Sequence, residues 1–227
     1  MSSDLTIFLE VGLLLVSSGV FAFSGYQAFQ LRRVLVSGIY RRKASWNAAF
    51  AIFLVPLSAA LLPFLGSTAA PSDLLETGIL IVFIMVGNIV GYLFLDSAIQ
   101  AARQMDFFLR DTLQWGILRG PAWAIFLIGM LGALFGPQTG ILPQVFGVMW
   151  SGPFGYYAAV LAFSSLKVKD RVMRSYAKWV GLFASMVAIG FLYPGRNVPF
   201  ILGCLVVGSL FFYRATSSLA LTGSLEE

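Results

Sequence analysis

The sequence predicts an all-α membrane protein, a single domain over residues 1–227 with seven transmembrane helices. Composition is the first reason: 59% of residues are hydrophobic, 11% are charged, and the mean hydropathy is +0.86. A soluble domain carries about 25% charged residues, so this chain has too little charge to cover a water-facing surface. Length is the second. Apolar runs near the roughly 20 residues needed to span a hydrocarbon core recur along the chain, at 5–29, 47–65, 78–100, 113–135, 141–166, 179–192 and 198–219. The third is the sorting of basic residues between those runs.

The first run follows Met1–Asp4, which has no basic segment, and it is too long for a signal-peptide core. It therefore reads as a retained anchor. Residues 30–46 form a charged connection, the longest on its side. The second run carries Pro56 at mid-span, and the fifth carries Gly152-Pro153. Proline inside a helix frees a carbonyl and bends the rod. Arg119 and Pro121 interrupt the fourth run; if residues 121–135 alone span, that helix tilts little or thins the membrane. The sixth run is short and the seventh meets Arg214, so both are expected to extend into their flanks, with Arg214 snorkelling to the interface.

Arg32, Arg33, Arg41, Arg42 and Lys43 follow the first run. Arg103, Arg110 and Arg119 follow the third, Lys167, Lys169, Arg171, Arg174 and Lys178 follow the fifth, and Arg214 ends the seventh. Of the 15 Lys and Arg residues, Arg196 alone lies opposite, beside Asp73 and Glu76. The positive-inside rule puts the N-terminus outside and the C-terminus in the cytoplasm. Topology accounts for the net charge of +5 without a nucleic-acid partner. The bilayer is the principal partner, and anionic lipid head groups are attracted to the basic cytoplasmic loops.

An internal duplication is one reading of the pattern. A shift of 133 positions aligns Gly19 with Gly152, Arg41 with Arg174, Ala44 with Ala177, Trp46 with Trp179, Phe50 with Phe183 and Ala51 with Ala184. A shift of 117 aligns Gly91 with Gly208, Phe94 with Phe211 and Ala98 with Ala215. Three helices, a linker helix and three more give parallel repeats, a plan common in transporters. Similar composition among apolar helices is the competing explanation.

The third run holds the main candidate site. Asn88, Tyr92, Asp96 and Gln100 recur every four residues and share one face, which Arg103 continues. Gly87 and Gly91 form a GxxxG pair that admits a close neighbour. A charged Asp at a helix centre costs about 2.5–3.5 kcal/mol and less near an interface, so Asp96 calls for a partner; Arg103, Arg119 and Arg214 are the candidates. The stripe lines a polar pocket or proton path, or it is interhelical hydrogen-bond glue with a topological salt bridge. Glu10, about a turn and a half into the first run, is the second candidate, either a pocket group or a near-surface carboxylate reaching water. Trp46 and Trp179 follow basic clusters, where interfacial tryptophans belong. The stretch from Met105 to Trp115 suits a short head-group-layer helix or a cap through Asp111.

The absences narrow the function. There is no histidine, which removes the commonest zinc sites and any Ser-His pair. The single cysteine, Cys204, has no partner for an internal disulfide. No phosphate-binding or dinucleotide fingerprint occurs. No cofactor, no metal and no conventional enzyme activity are expected. The four lysines lie in or beside loops, which excludes retinal attached as in microbial rhodopsins, and Asp170-Arg171-Val172 follows the fifth run, where the receptor signature it spells has no place.

"LDSAIQAARQMDFFLRDTLQWGILR", Leu95 to Arg119, resembles a segment of uncharacterised seven-helix membrane proteins of archaea, and "RRVLVSGIYRRKASW", Arg32 to Trp46, is similar in flavour. The resemblance covers about 40 residues, implies an archaeal plasma membrane and supplies no activity. The expected function is a sensory or signal-relay module in the cell membrane acting through a separate cytoplasmic protein partner. The alternatives are a small-solute or proton-coupled transporter and a structural subunit of a membrane complex.

Overall fold

A computed structural model describes residues 3–35, 38–61, 74–105, 115–135, 141–192 and 198–220. The described residues form seven helices and no strand: α1 (Ser3–Val34), α2 (Gly38–Leu61), α3 (Leu74–Met105), α4 (Trp115–Phe135), α5 (Leu142–Lys167), α6 (Arg171–Leu192) and α7 (Val198–Ala220). Three contain segments long and apolar enough to cross a membrane, Leu5–Val34, Gln144–Lys167 and Pro199–Ala220. The exterior is apolar as well as the interior. Phe8, Leu15, Phe23, Ile52, Phe135 and Leu210 are all exposed, where a water-soluble surface would carry charge.

Two boundaries differ from the sequence expectation. The charged stretch 30–46 is not a linker, because α1 runs to Val34 and α2 starts at Gly38. α6 likewise begins at Arg171, eight residues before the apolar run. Hydropathy falls where charge begins, but Arg and Lys are good helix formers, so the helices continue through the basic clusters. α1 and α3, 32 residues each, reach about 48 Å at 1.5 Å per residue. α4 and α5 continue through Pro121 and Pro153. The turn sequences at 66–73, 136–140 and 193–197, and Asp111 with its neighbours, lie outside the described residues.

Asp170 is the N-cap of α6: its Oδ1 accepts from the Met173 amide at 2.6 Å, and its carbonyl accepts from the Arg174 amide at 2.9 Å. The letters Asp170-Arg171-Val172 thus have a local structural role. Many serine hydroxyls are satisfied within their own helices. Ser17 and Ser18 donate to the Leu14 carbonyl, Ser24 to Val20 and Ser151 to Gly147. This back-bonding lets a hydroxyl sit in apolar surroundings at little cost.

The bundle is built from hairpins. α1 packs on α2 and α7, α6 lies between α5 and α7, α4 leans on α5, and α3 touches α2, α5 and α6. Small residues set close crossings. A Cβ added at Gly25 would lie 2.9 Å from Ala51 Cβ and 3.8 Å from the Ala48 carbonyl. In the second hairpin a Cβ at Gly181 would lie 3.3 Å from Leu161 Cβ and 3.4 Å from the Ala158 carbonyl. Gly25 and Ala48 stand 133 positions before Ala158 and Gly181, so the α1/α2 and α5/α6 crossings share one corresponding pair. Gly91 lies against the Phe50 and Phe154 rings, and Gly208 against the Phe183 ring. The space at Gly91 is thus filled by side chains, not by a neighbouring backbone.

Aromatic rings fill the centre. Phe50 of α2 stacks on Phe94 of α3 with centroids 4.6 Å apart, and Phe21, Phe183 and Phe212 surround them. Beside them Tyr92 stacks on Phe126 at 4.6 Å and meets Trp123, Phe154 and Tyr157 edge-on.

Candidate functional site

Lys43 and Asp96 are both buried, at 3% and 2% exposure. Lys43 belongs to the second turn of α2, four residues before the apolar run, and its ammonium donates to the Ser97 carbonyl of α3. Asp96 is the residue before Ser97 on the same turn of α3. Its Oδ1 accepts from the Tyr157 hydroxyl of α5 at 3.3 Å, and its Oδ2 from Gln100 Nε2 at 2.9 Å, one turn further along α3. A buried charge is tolerated only when its polar atoms are matched, and here the Lys43 ammonium and both Asp96 oxygens are hydrogen-bonded by groups of α3 and α5.

One turn along the same face of α2, Asn47 makes a second cluster. Its Oδ1 accepts from the Tyr176 hydroxyl of α6 at 2.9 Å, while its Nδ2 donates to Thr216 Oγ1 of α7 at 3.0 Å. Next to Thr216, Ser217 donates to Gln27 Oε1 of α1 at 3.2 Å. Among the described residues the two clusters together join α1, α2, α3, α5, α6 and α7.

These groups lie at one level. α2 passes Phe94 with Phe50 and Ser97 with Lys43, and it passes Phe212 with Phe50 and Thr216 with Asn47. It therefore runs opposite to α3 and α7. Asp96, Tyr157, Thr216 and Gln27 follow the rings of Phe94, Phe154, Phe212 and Phe21, whereas Lys43, Asn47 and Tyr176 precede Phe50 and Phe183. A polar belt thus lies on one side of the aromatic layer in six helices, displaced by about 3–10 Å at 1.5 Å per residue.

The expected stripe of α3 divides. Asp96 and Gln100 enter the belt, and Tyr92 is enclosed by four aromatic side chains as a packing residue. Among the expected ion-pair partners, Arg214 is exposed, and the side chains of Arg103 and Arg119, like that of Asn88, lie outside the described residues. Lys43, which stands inside a helix instead of in a loop, reaches the Ser97 carbonyl next to Asp96. Glu10 is buried in α1, on the face that also presents Leu14, Ser17, Phe21 and Ser24, so protein covers it from water.

Sequence reasoning did not single out Lys43, Asn47, Tyr157, Tyr176 or Thr216. One signal was present: Lys43, Ala44, Asn47, Ala48 and Ala51 follow helical spacing with small residues, the pattern of a buried face. It went unread because the helix was started at residue 47. No protein-family model matches the chain, and neither a curated protein nor a solved structure does.

Proposed function

We propose that the chain is a multi-pass protein of the cell membrane, crossing lipid seven times with its N-terminus outside, and that it works as a sensory or signal-relay module through a separate cytoplasmic partner. The observation that carries this reading is the polar belt. It couples six helices at one level, next to the basic helix ends, with aromatic rings packed on its other side. A displacement of any outer helix end must then be absorbed by belt hydrogen bonds, which exist either made or broken. Packed interfaces of that kind are bistable rather than continuously deformable. The apolar exterior and the one-sided Lys and Arg distribution support the membrane placement. Cross-linking in native membranes followed by purification of the full chain is the test: a specific soluble protein should be captured through the basic helix ends, and recovery of the chain alone would refute the relay.

A second reading is a small-solute or proton-coupled transporter built as a 3+1+3 parallel repeat. The corresponding crossings at Gly25 and Gly181 support it, as do the hydrogen bonds from Asn47 and Asp96 in the first three helices to Tyr176, Thr216 and Tyr157 in the last three. Transporter sites commonly lie at such a repeat interface. Reconstituted protein should then take up substrate in a manner lost on Asp96→Asn; uptake indifferent to that change rules out Asp96 as the coupling group.

A further inference from the structure

We propose that the outward face shared by α6 and α7 binds an anionic phospholipid, its phosphate held by Lys178 and Arg214 and an acyl chain lying along α7. The two helices pack on each other. At their seam the half-buried rings of Trp179 and Phe211 stack, with centroids 5.8 Å apart and planes at 29°. The Lys178 ammonium lies over the Trp179 ring, 5.3 Å from its centroid. Arg214 is three residues beyond Phe211, a neighbour on the surface of α7. One exposed cation from each helix thus borders the same pair of rings.

Depth sets these two cations apart. Among the described residues, the other exposed basic side chains stand beyond the polar belt, away from the aromatic layer. Arg32 and Arg33 follow Gln27 in α1, Arg41 and Arg42 precede Asn47 in α2, and Lys167 and Lys169 follow Tyr157 of α5. On α6 itself Arg171 and Arg174 precede Tyr176, and Arg174 Nε donates to the Val168 carbonyl at 2.8 Å. Lys178 and Arg214 fall on the inner side. Lys178 stands between Tyr176 and Phe183, and Arg214 between Phe212 and Thr216. Each is displaced about 3 Å from its belt residue toward the rings, at 1.5 Å per residue.

A charge exposed to lipid at that depth is unfavourable unless it snorkels or an anion meets it. Asp170 does not supply the anion: it lies beyond the belt, and its Oδ1 takes the Met173 amide as the cap of α6. A phosphate does. Its oxygens accept from an ammonium as a point charge and from a guanidinium through a planar fork, and the indole face steadies the cation above it. Two cations suit a head group of net negative charge, whereas a zwitterionic one brings an ammonium of its own, which they repel. Leu210 and Val207, one and two turns from Arg214 toward the other end of α7, are exposed at 48% and 40% and give an acyl chain an apolar track. The inference rests on the proposed membrane placement. It is distinct from the general attraction of head groups to the basic helix ends, which concerns the cations beyond the belt.

The test is native mass spectrometry of the full chain, purified in detergent and titrated with dioleoyl phosphatidylglycerol or dioleoyl phosphatidylcholine. The first phosphatidylglycerol should bind more tightly than the first phosphatidylcholine. Lys178→Gln combined with Arg214→Gln should weaken that binding by about tenfold or more. Lys169→Gln combined with Arg171→Gln removes the same charge beyond the belt and should leave it nearly unchanged. Equal losses in the two double variants would overturn the site, since they would mean diffuse attraction by the whole basic surface. Equal binding of the two lipids by wild type would overturn it without any variant. Preference absent from a chain that needs detergent removes this site alone; a chain soluble without detergent removes the membrane placement and the site with it.

Discussion

Tyr176 donates its hydroxyl proton to Asn47 Oδ1 at 2.9 Å, across 129 residues of sequence, and the same amide passes a hydrogen bond to Thr216. All three side chains are fully buried, so removing the middle one leaves two hydroxyls without that partner. A buried group left unsatisfied costs about 1–3 kcal/mol. Asn47→Ala should therefore destabilise the bundle more than Tyr176→Phe or Thr216→Val does. In a double-mutant cycle of Asn47→Ala with Tyr176→Phe, the double mutant should lose less than the sum of the two single losses. Strict additivity in detergent unfolding would mean that the bond contributes nothing.

The α1/α2 crossing tolerates no extra volume. At Gly25 a methyl group would meet Ala51 Cβ at 2.9 Å, whereas at Gly19 it would meet nothing within 4 Å. Gly25→Ala should cost about 1–3 kcal/mol, the usual price of overpacking, and Gly19→Ala should be neutral or slightly stabilising. Equal unfolding midpoints for the two variants would mean that this crossing relaxes freely.

Tyr92 should be a packing residue of the first rank. Four rings surround it, so Tyr92→Ala should open a cavity and cost about 3–5 kcal/mol. Trp123 lies edge-on at 4.3 Å, and its fluorescence should report the change. An unaltered emission spectrum and unfolding midpoint would contradict the packing described here.

Single cysteines placed at Arg41 and at Arg174, in a Cys204→Ser background, should be labelled by an impermeant thiol reagent from the same face of the membrane. Labelling from opposite faces would remove the seven-span topology.

Much of the architecture was legible in hydropathy alone, since each apolar run contains the middle of one helix. The ends were not. Arg41, Arg42 and Lys43 lower the hydropathy without lowering helix propensity, so α2 was begun nine residues late, and that error hid Lys43 and Asn47. On α3, periodicity correctly placed Asp96 and Gln100 on a common face with Tyr92, but it could not say what meets each of them. Whether Tyr92 borders water or rings depends on Trp123, Phe126 and Phe154, which lie far away in sequence. That Lys43 reaches the Ser97 carbonyl likewise depends on how α2 lies against α3, and spacing along a single helix does not encode that.

The belt also says something about the order of assembly. Asn47 bonds to Tyr176 across 129 residues and to Thr216 across 169. Neither bond can form before α6 and α7 exist, so during synthesis the amide of Asn47 waits through four intervening helices for its partners. Until they arrive the first hairpin carries a polar group that only later helices can satisfy, which makes closure of the belt a late event in folding.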